Sequence, residues 1–240
     1  METTISSPSL EAGRARVHTE TGTSNRRERA KARTHTALVQ AAQRFIRAGQ
    51  RHVPILEITK AADVGLGSFY NHFESREALY EVAVDEALDA LGARLDQLGA
   101  SLDDPAEVLA QAFRLTGRLF RLEPELMQVA MSAGPGMMQA KHGLVPYARR
   151  DLESGIRAGR FSVTDVELAL GMVVGSAMCL GEILRQGPDR DAASSTDRMA
   201  AAVLRMLGVP ADEADRIASA PLPDATVQDE SAHSEEERME

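Results

Sequence analysis

The sequence predicts an all-α protein, with a short N-terminal group of helices followed by a larger helical domain. Apolar residues recur at steps of three and four along most of the chain, and Gly, Pro or a capping residue stands at most breaks in that pattern. No segment alternates with a period of two for long enough to be a strand. Because aromatic residues make up only 4% of the chain and Trp is absent, the core must be built mainly from Leu, Val, Ala and Met.

The N-terminal elements follow from composition and capping. Residues 1–25 are polar without periodicity, which predicts a disordered arm. The first helix is predicted to begin near Thr34, its cap, and to end at Gly49. The next elements are a helix opened by Pro54, a brief helix over Ser68–His72 and a longer fourth helix capped by Ser75. Residues 26–80 are therefore predicted to form the first domain.

Caps and stop residues continue through residues 81–210, the predicted second domain. Its helices are predicted to begin at Asp104-Pro105, Pro124, Pro146, the capping box Thr164–Glu167, and Thr196. Gly208 and Pro210 end the last of them. Residues 211–240 hold ten acidic residues against Arg216 and Arg238, which predicts a disordered acidic tail.

The net charge of −9 hides a polarised molecule. Residues 1–80 carry twelve basic and eight acidic residues, a balance of +4, so the remaining 160 residues carry −13. A basic first third on an acidic body predicts a polyanionic partner at one end only.

Several protein classes are disfavoured by composition. The single Cys179 cannot form an internal disulfide, which favours the cytoplasm, and the charge-free apolar stretch Leu168–Gly181 is too short for a membrane span. The six histidines show no metal-ligand spacing, and there is no Walker-type phosphate loop. We therefore expect no membrane insertion, no metal, no cofactor and no enzymatic activity.

The span from Ile55 to Phe73 fits a helix-turn-helix. Ile58 and Ala62 would be buried on the first helix, and Phe69 would pack back from the second. Asp63 falls where the chain often turns left-handed, a conformation that Asp tolerates. The alternative is an ordinary corner between two helices of a bundle.

Residues Ala62–Leu79, ADVGLGSFYNHFESREAL, closely resemble the helix-turn-helix signature of tetracycline-repressor-type (TetR) transcriptional regulators. The resemblance covers roughly residues 30–80. Three positions depart from the family pattern: Asp63 replaces the usual Gly, Gly65 replaces the usual Ser or Thr cap, and Arg76 replaces the frequent Lys. Without a side-chain cap at position 65, the third helix is expected to begin less firmly.

The resemblance implies a set of DNA-binding residues: Arg33, Thr34, Leu66, Gly67, Ser68, Tyr70, Asn71, His72 and Arg76. Tyr70, His72 and Arg76 would contact phosphates, near the amides of Gly67 and Ser68, and Leu66, Ser68 and Asn71 would reach base edges. The basic residues 26–33 would lie along phosphates or in a minor groove, or would simply be solvated.

The resemblance also implies that the second domain dimerises and binds a small effector. The helix Glu167–Arg185 is apolar on all sides, which favours a partner on each side, although a core helix in a monomer would look the same. The predicted dimer interface comprises Leu168, Gly171, Met172, Gly175, Met178, Met199, Val203 and Met206.

Adaptable Met and scattered aromatic side chains mark a candidate effector pocket. Its predicted lining is Phe113, Phe120, Met127, Met131, Met137, Met138, Tyr147 and Cys179, although these residues would equally serve to fill the core. The composition favours an aliphatic or lipid-like effector over an organic cation.

The sequence therefore predicts a cytoplasmic, homodimeric transcriptional regulator, usually a repressor in this family, that binds a palindromic double-stranded DNA operator and is released by a small hydrophobic effector. Two alternatives stay open: a helical interaction protein whose helix-turn-helix no longer binds DNA, and an enzyme with its site in the C-terminal pocket.

Overall fold

The computed structural model describes residues 17–50, 52–131 and 138–223, and over these residues it contains helices and connecting turns without strands. The helices, in chain order, are α1 Val17–Arg47, α2 Ile55–Ala61, α3 Leu66–Phe69, α4 Arg76–Gly99, α5 Pro105–Leu122, α6 Pro124–Met131, α7 Leu144–Arg157, α8 Val166–Gln186, α9 Ala192–Met206 and α10 Ala211–Ser219. The all-α prediction is confirmed. The chain divides into two compact units at Ala83 and Val84, within α4.

The first unit is built around the buried face of α1. Leu38, Ala42 and Ile46 are at most 1% exposed and supply this face, and Ile58 and Leu79 are fully buried in the same unit. Ser75 caps α4, since its Oγ accepts a hydrogen bond from the Ala78 N–H at 3.1 Å.

The start of α1 differs from the sequence prediction. The helix begins at Val17, so a disordered arm is wrong for residues 17–25; residues 1–16 lie outside the described part. Thr34 is not the cap: it lies inside the helix, where its hydroxyl donates to the Ala30 carbonyl at 3.1 Å.

The second unit packs α5, α7, α8 and α9 around one core. Asp104 and Asp165 cap α5 and α8, each accepting backbone N–H hydrogen bonds, and Pro105 opens α5 as predicted. Gly117 on α5 allows a close approach to Thr196 on α9, because a Cβ at position 117 would overlap the fully buried Thr196 side chain. Helix α9 begins at Ala192, one turn before the predicted start.

The prediction of a disordered tail from residue 211 is wrong for its first nine residues. They form α10, whose Ala214, Ile217 and Ala218 are at most 2% exposed against the core. Arg160 joins this helix to the start of α5, donating to Asp104 at 2.8 Å and to Glu213 at 2.7 Å. The remainder of the predicted tail, 224–240, lies outside the described residues.

A partly buried ionic network also joins α5, α9 and the end of α10. The Arg114 side chain is 5% exposed; it donates to the Asp197 carboxylate at 2.8 Å and to the Ala220 carbonyl at 2.8 Å. Arg118 donates to the same Asp197 oxygen at 2.8 Å. Two guanidinium groups thus share one carboxylate, which is their counter-charge in this region.

Candidate nucleic-acid interface

A left-handed residue sets the angle between α2 and α3. Asp63 has φ 53°, as the sequence predicts, and the N–H groups of Asp63 and Val64 donate to the carbonyls of Lys60 and Thr59. This pair of hydrogen bonds is the Schellman arrangement that ends a helix while satisfying its last carbonyls. The turn from α2 into α3 is therefore fixed by backbone hydrogen bonds.

Helix α3 is shorter and earlier than predicted. It spans Leu66–Phe69 rather than Ser68–His72, so that Tyr70, Asn71 and His72 form the turn that follows it. Gly65 occupies the N-cap position without a side-chain hydrogen bond. Because Gly65 has no side-chain acceptor, it contributes to the start of α3 only through its extended backbone conformation.

Two buried aromatic rings hold this segment to the first unit. Phe69 is fully buried and Phe73 is 6% exposed, with ring centroids 5.9 Å apart. Between and before these anchors, Leu66 is 45% and Tyr70 60% exposed, and Asn71 is also exposed. An added Cβ at Gly67 would meet nothing within 4 Å. Large apolar and aromatic side chains are thus presented to solvent by a rigidly anchored segment.

His72 is half-buried and lies beside other basic groups. Its ring centroid is 6.0 Å from that of His35 and 6.3 Å from that of Phe73. Partial burial, followed by the charges of His35 and Lys31, holds the pKa of His72 below its ordinary value. Near pH 6.5 the unfolded chain therefore binds more protons at this residue than the folded chain, and its contribution to stability falls as the pH is lowered through that range.

The remaining predicted DNA-binding residues lie on α3, α1 and α4. Ser68 is half-buried, and Arg33 is exposed on α1. Arg76 opens α4 and forms an ion pair with its neighbour Glu77, with Nε 3.0 Å from the carboxylate. A DNA phosphate that contacts Arg76 would have to share the guanidinium group with the Glu77 carboxylate.

The exposed side of α8 carries a continuous set of uncharged, mostly apolar residues. We call it the outer face of α8; its members follow the four- and three-residue steps of one helical side and are Leu168, Met172, Gly175, Cys179 and Ile183. Leu168 is 68% and Ile183 40% exposed, and a Cβ at Gly175 would meet nothing within 4 Å.

The residues of the predicted dimer interface differ in their exposure in the single chain. Val203 is only 2% exposed in the single chain and belongs to its core, whereas Met206, 45% exposed, and Met199, half-buried, remain accessible on α9. Gly171 is half-buried, and a Cβ added there would lie 3.5 Å from Met138 Cε; Met172 and Met178 both pack partly against the core. The sequence prediction did not place Ile183 and Cys179 on the outward side of α8. Their helical spacing from Leu168 is the signal that would have placed them there.

The predicted effector-pocket residues do not form one group. Phe120 and Met131 meet at Gly181 of α8, where a Cβ would overlap both side chains, and Phe113 and Met127 are buried. Tyr147 instead packs on Gly92 of α4, with Arg150 5.5 Å from its ring centroid. Cys179 is wrongly assigned to the pocket, because it is exposed on the outer face of α8. Met137 lies outside the described residues.

Two further properties of the described residues concern metals and membranes. They contain no group of three or more His, Cys, Asp or Glu side chains that could hold a metal ion. Helix α8, with 21 residues and a mean hydropathy of 1.6 in its most apolar window, has the length and composition to cross a membrane, contrary to the sequence prediction. Because α5, α7 and α9 pack against it, α8 is the core helix of this unit.

Comparisons with known proteins match both units. The family model of bacterial regulatory proteins of the TetR family matches residues 37–83, and that of a tetracycline-repressor-like C-terminal domain matches residues 104–220. The latter range includes α10. Among curated proteins, none matches the chain.

Solved structures of similar proteins include RolR, with and without a ligand. RolR in complex with resorcinol is 36% identical, with a TM-score of 0.68, over 82% of this chain and 98% of that chain. RolR without ligand is 38% identical, with a TM-score of 0.66, over 78% and 97%. FadR from Bacillus subtilis in complex with stearoyl-CoA is 17% identical, with a TM-score of 0.53, over 70% and 97%, and shares the fold alone. On the family models and the RolR match together, this chain belongs to the TetR family of transcriptional regulators.

Proposed function

We propose that the protein is a cytoplasmic, homodimeric repressor that binds a palindromic DNA operator through the segment Leu66–His72 of each subunit. The observation that carries this proposal is the pairing of buried Phe69 and Phe73 with exposed Leu66, Tyr70 and Asn71. A segment anchored in this way presents side chains to a DNA groove without the entropy cost of ordering a loop.

Each residue of this surface has a role that its chemistry suits. Ser68 and Asn71 are short polar side chains able to hydrogen-bond base edges, and Leu66 offers an apolar contact to a thymine methyl group. Tyr70, His72 and Arg76 are donors suited to phosphate oxygens. The amides of Gly67 and Ser68 would lie near the same strand, Thr34 on α1 would reach a phosphate beside it, and Arg33 a phosphate further along the backbone.

Selection of bound duplexes from a random DNA pool, followed by sizing of the complex, tests the proposed function. Recovery of a palindrome bound by one or two dimers would support it, with half-sites about 34–36 Å apart or a multiple of that. Recovery of nothing above the non-specific background would favour the alternative, a helical interaction protein with a vestigial helix-turn-helix.

Tyr70→Phe and Arg76→Ala are expected to weaken DNA binding similarly for all sequences, because both remove phosphate contacts rather than base contacts. Only Arg76→Ala removes a charge, and it should reduce the slope of log affinity against log salt by about 0.9. Titrations of operator and unrelated DNA at several salt concentrations check both effects. An unchanged slope for Arg76→Ala would show that Arg76 contacts Glu77 alone.

DNA affinity is expected to rise as the pH is lowered from about 7.5 to 6, because phosphate favours protonated His72 while partial burial, His35 and Lys31 disfavour it in the free protein. The uptake of one proton limits the gain to about tenfold per pH unit. Titrations at constant ionic strength measure the effect. His72→Gln should lose this component of the pH dependence while His142→Gln in the second unit should keep it, and an equal pH slope in the two variants would exclude His72 as its source.

We further propose that a small hydrophobic effector binds inside the second unit, near Phe113, Phe120, Met127 and Met131. The regulator RolR, 36% identical to this chain, was solved with resorcinol, which supports a compact hydroxylated aromatic molecule. The sequence instead favoured a lipid-like one. Effector binding would displace α4 and so alter the spacing of the two DNA-binding segments.

Melting temperatures and release of operator DNA, measured with resorcinol, simple phenols and medium-chain fatty acids, separate the two classes of effector. A shift with phenols alone would identify an aromatic effector, and a shift with fatty acids alone a lipid-like one. Failure of both to stabilise the protein or release DNA would refute the hydrophobic effector.

A further inference from the structure

Helix α1 extends well beyond the part of the chain that the family model covers. The matched N-terminal region begins at residue 37, whereas α1 begins at Val17. The twenty residues 17–36 continue the same helix for about 30 Å, at about 1.5 Å per residue. This extension is therefore an element of defined shape, added in front of the helix-turn-helix.

The extension is strongly basic where its side chains are described. Residues 25–33 contain Arg26, Arg27, Arg29, Lys31 and Arg33 against the single acid Glu28, a balance of +4 in nine residues, and all five basic residues are exposed. This balance equals the whole excess of positive charge in residues 1–80, while the rest of the chain is acidic. Such a concentration of positive charge favours a polyanion as its partner.

The basic side chains are also ordered around the helix. Arg26, Arg29 and Arg33 follow steps of three and four and so share one side of α1, and together with Asn25 they line one open depression. From Arg26 to Arg33 the helix rises about 10 Å, so the three guanidinium groups form a row rather than a point. A row of this length suits successive phosphates of a nucleic-acid strand.

We propose that the helical extension of α1 binds the phosphate backbone of the operator DNA outside the base pairs that Leu66–His72 contacts, with Arg26, Arg29 and Arg33 as the main donors. This inference rests on the proposed function. The extension binds as a helix lying along the backbone and does not enter the minor groove, because a helix about 10 Å across does not fit a groove about 6 Å wide. Its contribution is therefore independent of sequence and strongly dependent on salt.

The first test compares two charge-matched triple variants. Replacing Arg26, Arg29 and Arg33 by Gln should lower the salt slope by about 2.7 and weaken operator and unrelated DNA alike, by roughly 100-fold at 0.15 M salt. The control replaces Arg157, Arg190 and Arg216 of the second unit by Gln, which changes the net charge equally and should leave the slope unchanged. A shared loss in both variants would reflect net charge only and would overturn the proposal.

The second test asks whether the extension acts as a helix. Ala32 is exposed; it follows Arg26 and Arg29 and stands six residues before Leu38, the first buried residue described on α1. Ala32→Pro keeps every charge but breaks the helix, and should reproduce most of the affinity loss of the triple variant, while Ala32→Ser should not. Full affinity for Ala32→Pro would show a flexible arm and would refute the helical backbone contact.

Duplex length supplies an independent measurement. On a duplex trimmed to the two half-sites, the unaltered protein should fall to the affinity of the Arg26, Arg29 and Arg33 variant, and that variant should lose nothing further. If the unaltered protein binds specific DNA but trimming and the triple substitution have no effect, the inference fails and the proposed function stands. If the unaltered protein binds no specific DNA, the proposed function itself fails.

Discussion

Asp197→Ala is expected to destabilise the second unit by about 2–4 kcal/mol, because it leaves the buried Arg114 guanidinium without its carboxylate partner, although the Asp197 side chain is itself 30% exposed. Arg114 is 5% exposed and would keep only its hydrogen bond to the Ala220 carbonyl, while Arg118 would lose its carboxylate partner as well. Urea unfolding at a fixed protein concentration measures the effect, because an oligomer's apparent stability depends on concentration.

Two comparisons isolate the buried charge as the cause. Asp215→Ala breaks the exposed pair of Asp215 with Arg205, whose N···O distance is 2.7 Å, and should cost less than about 1 kcal/mol. The double variant Arg114→Met/Asp197→Ala should be more stable than the sum of the two single losses predicts. The reason is that it no longer contains a buried Arg114 charge without a partner. Additive losses would mean that Arg114 and Asp197 act independently.

The sequence predicted best where the structure depends on local signals. These signals predicted the left-handed Asp63, the helix caps Ser75 and Asp104, and the inward-facing Phe69. Each of these features follows from a residue type and its immediate neighbours. The segment Ala62–Leu79 combines several such signals, and for that reason it also identified the family.

The errors arise where a local pattern is compatible with two structures. The polar stretch Arg26–Arg33 led to a predicted helix start near Thr34, yet Arg, Ala and Lys are among the best helix formers, and α1 continues through this stretch. Residues 211–219 are acidic overall, but Ile217 and two alanines complete a buried side that only the contact with the core makes favourable.

The sequence alone could not distinguish pocket residues from interface residues, because α8 is apolar on all sides. Leu168 and Leu170 are chemically alike, but the first is 68% exposed and the second fully buried. Which side of such a helix faces inward is decided by long-range packing of α5, α7 and α9. The same ambiguity placed Cys179 in the pocket.

Gly175→Arg is expected to abolish dimerisation and to lower operator affinity by about 100- to 10,000-fold, because a monomer loses the second half-site and with it the effective concentration that links the two binding events. Gly175 lies in the middle of the outer face of α8, between exposed Leu168 and Ile183, and has open space where a side chain would begin. The single chain can therefore accommodate a long side chain there, and replacing a helical Gly adds helix propensity. A partner helix packed on the same surface cannot accommodate it. Sedimentation velocity and DNA titration of the same sample measure both consequences.

Leu122→Arg is the matched control, since it adds the same charge at a residue 69% exposed that ends α5 and is not on α8. It should remain a dimer with affinity close to that of the unaltered protein. The melting temperature of Gly175→Arg separates a lost interface from a lost fold: retained helical content with a monomeric mass supports the interface. A dimeric Gly175→Arg variant with full affinity would place the dimer contact elsewhere, and the apolar outer face of α8 would then need another partner.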